Sequence, residues 1–507
     1  MDAVTLQVMV GALRAACDEM GAVLIRSAHS ANIKERRDCS TGLFDAQGQM
    51  VMQAEHIPVH LGAMPAAVAS VRDEEHEPGD AWILNDPFQG GTHLPDITVI
   101  SPVFAAGELL GFAASRAHHA DVGGRVPGSM PADSTTLEDE GVVIPPSRIV
   151  RAGEVEAEVL ASLLDQMRNP RERSADLRAQ LAAGAAGAAR FAELVERFGL
   201  ETVREGMRET LDYAERRTRA RIAEMPDGEY VAADFLEAAA VPRLEGPGPS
   251  QPGDIELRLR ATVGGDEITL DFTGSADQHD GNLNCPLAVT TSACFFAVRV
   301  LTDPDVPPCA GAYRPVTVIA PEGSLLNARP PAAVAAGNVE TSSRVADLVL
   351  AAFGRALGQG TMNNFTLGND DFTYYETLGG GQGACADADG PSAVHVAMSN
   401  TLNTPIEALE REFPLRAIEY SVRRGSGGDG AHHGGDGVVR ELEALTDMSY
   451  SLITERRRHA PHGAAGGSDG ALGANSLNGD PVPAKATGRL RRGDRLRIET
   501  PGGGGYG

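Results

Sequence analysis

What most restricts this chain is where its glycines fall. Of 59 glycines in 507 residues, the densest runs lie in the last third: LGGGQGA, RRGSGGDGAHHGGDG and the closing PGGGGYG. Glycine loses more conformational freedom on ordering than any other residue, so such runs in isolation read as linker. Here they are interleaved with strand-like segments, so we read them as tight turns in an ordered, β-rich region.

Upstream, the periodicity changes along the chain. Residues 3 to 30 begin with apolar side chains at helical spacing (Leu6, Met9, Val10, Leu13, Ala16, Cys17, Met20), and CSTGLFDAQGQMVMQ then reads as a hairpin turning at Asp45-Ala46-Gln47-Gly48. The strand-like runs AWILND, ITVISPVF and LLGFAASRAH follow. From Val155 to about Met225 the chain is rich in Ala, Leu, Glu and Arg and is broken at Asn169-Pro170 and Phe198-Gly199, which predicts three helices. Strand alternation resumes in DIELRLRATVGGDEITLDFTGSA around a Gly264-Gly265 turn. We therefore expect a mixed α+β chain of four parts: an N-terminal α+β region at 1–150, a helical segment at 151–226, an α/β middle region at 227–370 and the glycine-rich, β-rich region at 371–507.

Charge and cysteine usage exclude several function classes. A net charge of −26 repels phosphate backbones and anionic lipid surfaces, so nucleic acid and membranes are not expected partners. Six cysteines scattered singly, without CxxC pairs, fit a reducing, cytoplasmic setting. The first residues read as an amphipathic helix rather than a signal peptide, and no stretch is long and apolar enough to span a bilayer. The only lysines, Lys34 and Lys485, lie outside any GxxxxGK loop, so the chain is not expected to cradle ATP that way.

The stretch GGTHLPDITVI (Gly90 to Ile100) sets a histidine and an aspartate three residues apart around a proline, just before an apolar run. Pro95 biases Leu94 toward extended geometry, so His93 and Asp96 sit on a loop leading into a strand rather than on a helix face. The strand ITVISPVF turns near Ala105 to Glu108, and LLGFAASRAHHAD returns antiparallel to it. A two-residue turn at Ala106-Gly107 sets Asp96 opposite Ala117 with His119 on the same face; a three-residue turn sets Asp96 opposite His118. Either way, His93, Asp96, His118, His119 and Asp121 gather at one hairpin end, and strand alternation lets only one of the adjacent histidines join Asp96. Two imidazoles and a carboxylate without thiolates suit an open Zn²⁺, Mn²⁺ or Fe²⁺ site. The competing reading is an ordinary polar hairpin end with local hydrogen bonds. Residues 121 to 147, rich in Gly, Pro, Ser and Asp, read as a long loop over this site that either orders on substrate or partner binding or, given its prolines, is rigidly packed from the start.

Other constellations carry less. Arg36 and Arg37 in RSAHSANIKERRD could hold an anion or form a solvated charge run. His56 and His60 read as hydrogen-bonded structural histidines, and Asn400 as a ligand contact. Thr404, Pro405 and Glu407 spell a helix start with a capping box. GSGGDG and GGSDG match nucleotide-binding and hydrolase patterns by chance, since neither follows a clear strand or opens a helix.

Long segments of this chain resemble the hydantoinase B / oxoprolinase family, the B-type subunits of ATP-dependent hydantoinases: RSAHSANIKERRD, AEHIPVHLGAM, GDAWILNDPFQGGTHLPDITVISPVF, AHHADVGGRVPGSMP, EGVVIPP, DFTGSADQHDGNLN, MSNTLNTPIEALE and the glycine runs. The resemblance implies an A-type partner subunit that carries the ATP-binding fold, hence a hetero-oligomer. In the related ketone carboxylases a His-x-x-Asp pair and a later histidine hold a divalent metal, which implies His93, Asp96 and His118 here and selects the three-residue turn. Since a ligating imidazole needs its other nitrogen fixed, His119 or Asp121 is expected as orienting partner or general base, with Arg36, Arg37 and Asn400 expected toward substrate. TTLEDEG at 135 to 141 and HAPHGAAGG at 459 to 467 depart from the family's commoner wording, which bears on substrate choice.

Two enzymatic readings follow. In the favoured one, the partner phosphorylates a cyclic amide and this chain hydrolyses the product, a divalent cation lowering the pKa of water. In the other, the complex carboxylates a ketone. A third reading makes the chain a non-catalytic scaffold for its ATPase partner.

Overall fold

The structure, a computed structural model, describes residues 1–55, 57–239 and 253–507, so His56 lies outside it. The first helix, Ala3–Ser27, starts where Asp2 accepts hydrogen bonds from the Val4 and Thr5 backbone amides. It buries the predicted stripe of Leu6, Met9, Val10, Leu13, Ala16, Cys17 and Met20. That stripe packs against a seven-stranded antiparallel sheet of β1 (Cys39–Asp45), β2 (Met50–Glu55), β3 (Ala81–Leu84), β4 (Asp96–Ala105), β5 (Glu108–His118), β6 (Ser147–Arg151) and β7 (Glu154–Val155), in the order β2-β1-β5-β4-β3-β6-β7. β4 and β5 therefore lie at its centre, where both faces are covered.

The hairpin between them corrects the expected turn. Ala105 pairs with Glu108 across the two-residue turn Ala106-Gly107, whose φ values of 52° and 83° are those of a tight hairpin turn. A register shift between Val103 and Phe104, which leaves Leu110 unpaired, then moves the partner of Asp96 to His118. A β-bulge thus supplies the extra residue that a three-residue turn was expected to supply.

The helical segment breaks where proline and glycine predicted, giving Ala157–Leu164, Pro170–Phe198 and Leu200–Ile222. Gln180 on the second of these lies over β4 and β5, donating to the Ile97 and Ser115 carbonyls. The middle region forms a sheet of β8 (Gly228–Ala238), β9 (Gly253–Gly264), β10 (Glu267–Asp271) and β11 (Val316–Ile319), with β11 parallel to β10. Its hairpin turns at Gly265-Asp266, one residue beyond the expected position, because Gly264 pairs with Glu267. The helices Leu287–Thr302 and Ser342–Ala352 share a core with this sheet, and a π-helical turn, Gly337–Thr341, precedes the second helix.

The last region holds two antiparallel sheets built from β12 (Asn364–Gly368), β13 (Thr373–Glu376), β14 (Leu415–Arg423), β15 (Gly437–Ala444), β16 (Met448–Ile453), β17 (Ala474–Leu477), β18 (Asp480–Pro481), β19 (Lys485–Leu490) and β20 (Arg495–Glu499). Their orders are β13-β12-β16-β19 and β14-β15-β20-β17-β18. The glycine runs are chiefly not turns. They lie side by side and bond backbone to backbone, as in Gly428 to Gly503, Gly503 to Gly435, Gly435 to Gln382 and Gly505 to Ser468. A Cβ on Gly434 would sit 2.0 Å from the Gly503 oxygen, and one on Gly503 would sit 2.1 Å from the Gln382 oxygen. Glycine is needed here for close approach, not for left-handed φ.

Two further expectations change. The helix Ile406–Glu412 starts without a side-chain cap, because the Thr404 amide is donated across the fold to Glu376 rather than used in a capping box. The 121–147 segment is already tied down, with a one-turn helix at Leu137–Glu140 and the Glu140 carboxylate accepting from the Val334 and Ala335 amides. Among the described residues, no helix is long and apolar enough to cross a membrane.

The glycine packing predicts an asymmetry. Gly503→Ala is expected to cost about 3 kcal/mol or more, because a methyl group must displace backbone. Gly493→Ala, at φ 94° with open space around it, is expected to cost only about 1–2 kcal/mol. Thermal unfolding of the two variants should show the first far below the second.

Candidate metal centre

The corner before β4 is held by backbone packing. Gly90, at φ 102°, lies so close to the helix Ala63–Ala69 that a Cβ would sit 2.7 Å from Ala66 and Ala67, and one on Gly91 would sit 2.3 Å from the Asn85 oxygen. Asn85 closes the loop from inside, its Nδ2 donating to the Leu94 and Val142 carbonyls and its Oδ1 accepting from the Ile144 amide. The Asp96 amide donates to the His93 carbonyl at 3.0 Å, which folds the histidine back beside the aspartate.

Three side chains then meet. Asp96 Oδ1 lies 3.1 Å from His93 Nε2 and 3.2 Å from His118 Nδ1, and the two imidazole nitrogens are 3.2 Å apart. All three residues are buried. The second Asp96 oxygen accepts from Thr92 Oγ1 at 2.6 Å and lies 3.4 Å from His60 Nε2, while His60 Nδ1 meets Ser40 Oγ at 2.9 Å. Thr92 and His60 thus fix one carboxylate oxygen and leave the other facing the imidazoles.

This donor set fits a divalent cation. A cation about 2.0–2.2 Å from each of three such atoms sets them about 3.0–3.5 Å apart, the spacing of this triangle. Hydrogen bonds alone serve it poorly, since two N–H groups turned toward one oxygen leave their nitrogens in mutual contact. Burial pushes the Asp96 carboxyl up, but the His93 charge and bonds from His118, His60 and His93 outweigh it and hold the group well below the usual carboxylate range. Burial pushes His118 down toward the neutral form that coordination requires.

The sequence-selected residues divide. His119, beside His118 on the strand end, faces the other way, its Nε2 bonded to Gln180 Oε1 at 2.9 Å; burial pushes its pKa down to about 4. Asp121 is a loop clamp, accepting from the Gly123 and Gly128 amides and pairing with Arg168 at 3.1 Å, and it does not join the cluster. Neither is placed as a base. Arg36 is fully buried instead of solvated or open to substrate: it donates to the Tyr375 carbonyl, Thr377 Oγ1 and Thr401 Oγ1, with its guanidinium 4.6 Å from the Tyr375 ring centroid. Arg37 is exposed, at φ 55°. Asn400 does reach the site, lining the same cavity as Asp96 and His118.

Sequence reasoning missed one neighbour: Tyr375 stacks on His118 with ring centroids 4.3 Å apart. Tyr375 lies far along the chain from the hairpin, so no local spacing signals it. His60, read as a hydrogen-bonded structural histidine, is one, and it braces Asp96. The cavity beside the cluster measures about 20 Å³, room for about one water. Ser399 and Asn400 also line an outer cleft of about 390 Å³, so these residues form the wall between it and the cavity.

Comparison with known proteins places the chain. The sequence model of the Hydantoinase B/oxoprolinase family matches residues 2–507. The chain is 39% identical to 5-oxoprolinase 1 of Arabidopsis thaliana over 100% of its own length but only 42% of that protein. It is 31% identical to a putative B-type subunit of a D-/L-hydantoinase of Pseudomonas sp., covering 100% of this chain and 90% of the relative. In structure it is similar to the ATP-dependent caprolactamase of Pseudomonas jessenii, with a TM-score of 0.87 and 28% identity over 100% of this chain and 91% of the other. The chain belongs to the hydantoinase B/oxoprolinase family.

Proposed function

We propose that this chain is the metal-dependent B-type subunit of an ATP-dependent cyclic amide hydrolase, acting on a substrate phosphorylated by an A-type ATPase partner. The observation that carries the reading is the triangle of His93 Nε2, Asp96 Oδ1 and His118 Nδ1, with edges of 3.1 to 3.2 Å, at the wall of a closed cavity. Relatives named 5-oxoprolinase, D-/L-hydantoinase and caprolactamase share cyclic amides as their named substrates. When bound, a Zn²⁺, Mn²⁺ or Fe²⁺ ion would lower the pKa of water toward neutrality. His93, Asp96 and His118 would hold it.

The chain's own residues do the rest. Thr92 and His60 hold Asp96 in place, so its free oxygen keeps one direction during turnover. Tyr375, stacked on His118, excludes solvent from that side. Asn400, in the wall between the cavity and the outer cleft, would meet the substrate on its way in. ATP turnover falls to the partner, because the sequence offers no phosphate-cradling lysine loop.

Metal content measured by mass spectrometry tests the centre. His93→Ala and Asp96→Ala should each lose bound metal and partner-coupled hydrolysis together, whereas Asp121→Asn should keep its metal and instead show faster proteolysis near Gly123. Full metal retention in both alanine variants overturns the centre.

Reconstitution with the A-type subunit tests the reaction. Cyclic amides should stimulate ATP turnover and disappear with it, and the isolated chain should show no ATP binding by calorimetry. Stimulation by a ketone with bicarbonate, and not by any lactam, would instead make the complex a carboxylase.

A further inference from the structure

The π-helical turn Gly337–Thr341 carries a residue that none of the foregoing uses. Such turns insert one extra residue into a helix and recur at functional sites. This one is clamped from several sides. A Cβ on Gly337 would sit 1.8 Å from the Asn284 oxygen, Thr341 Oγ1 donates to the Leu283 carbonyl at 2.6 Å, and Glu340 Oε1 accepts from the Met362 amide at 3.2 Å. The clamped turn delivers Asn338 to the cavity that Asp96, His118 and His60 line.

Asn338 is 4% exposed, and its amide oxygen is buried without a hydrogen-bond partner among the described residues. A buried acceptor with nothing to accept bears the desolvation cost of the missing bond, which a water in the cavity or a donor on the substrate would offset. Of the other polar groups of the wall, Thr377 and Thr401 meet Arg36 and Ser399 meets His395, while His118 Nε2 is buried without a hydrogen-bond partner among the described residues. Val59, Val339, Met362 and Met398 make the remaining wall apolar.

A cyclic amide matches this arrangement. At its reacting edge the carbonyl and a ring nitrogen adjoin, and in a simple lactam the rest of the ring is apolar. An asparagine amide can accept from a ring N–H through Oδ1, or donate to a ring nitrogen without hydrogen through Nδ2. We propose that Asn338 reads the ring nitrogen of the substrate beside the metal centre, and so selects cyclic amides over ketones, which have none. This rests on the hydrolase reading above.

The test uses the complex with its ATPase partner and three probes: 5-oxoproline, 2-pyrrolidinone and caprolactam, each beside its N-methyl derivative. Ring opening and metal content are measured for wild type, Asn338→Leu and Asn338→Ala, the smaller variant serving if leucine disturbs the turn. Wild type should prefer N–H rings by about tenfold or more. Both variants should keep their metal, while that preference falls to within about threefold. An unchanged preference, equal losses on both members of a pair, or loss of metal in both variants overturns the role of Asn338 alone. A wild-type complex that opens none of the six rings overturns the hydrolase reading and this inference with it.

Discussion

The register of one hairpin decides whether this protein has a site at all. In β4 and β5 side chains alternate between faces, so a slip of one residue would send His118 away from Asp96. The tight Ala106-Gly107 turn, extended without a bulge, sets Asp96 opposite Ala117; Leu110, the extra residue, restores the pairing with His118. The same register sets Arg116 opposite Thr98, where it donates to Thr98 Oγ1 and to the Gly90 carbonyl. The bulge therefore aligns the corner and the strand end together, and Leu110, buried in the core beneath, holds it in place.

A second constraint joins that hairpin to the C-terminal region. Arg36 follows the short helix Ala31–Lys34 and spans to Tyr375, Thr377 and Thr401, residues more than 300 positions away. The terminal nitrogens of this buried guanidinium bond to those three groups, and removing the acceptors would strand a charge in the interior. Tyr375 takes part on two sides, bonded through its carbonyl to Arg36 and stacked on His118. Loss of Arg36 would thus be felt at the histidine without any direct contact with it.

How much of this was legible follows from how local each feature is. The first helix, the helix breaks at Asn169-Pro170 and Phe198-Gly199, and the strands around the corner all announce themselves through spacing and punctuation residues. The gathering of His93, Asp96 and His118 was foreseen, but by a longer turn in place of the bulge, since nothing in LLGFAASRAH marks Leu110 as unpaired. Arg36 looked like part of a charge run because local sequence does not record which arginine is buried. Asp121 and His119 lay near the cluster in sequence and were grouped with it, yet strand alternation and the Gly123–Ser129 loop turn them to other partners. The glycine runs showed that the backbone needed freedom of some kind. Only their packing shows that the need was proximity.

The π-helical turn explains why a polar residue can face the cavity beside a helix that is otherwise core. The helix Ser342–Ala352 buries Val345, Ala346, Leu348 and Val349 against the middle sheet, which fixes its rotation about its own axis. Each helical residue turns about 100°, so the extra residue of a π turn rotates everything before it by about that angle relative to an uninterrupted α-helix. Behind the turn, Glu340 is pushed up to about 8 by burial and by neighbouring Glu455, and so stays largely neutral. Glu455 itself pairs with Lys485 and Arg344. These buried groups brace the turn on the side away from Asn338. An α-helical turn at the same place would keep the core contacts of the following helix yet swing Asn338 out of the cavity. The irregularity therefore aims Asn338 at the cavity, much as the bulge at Leu110 brings His118 opposite Asp96.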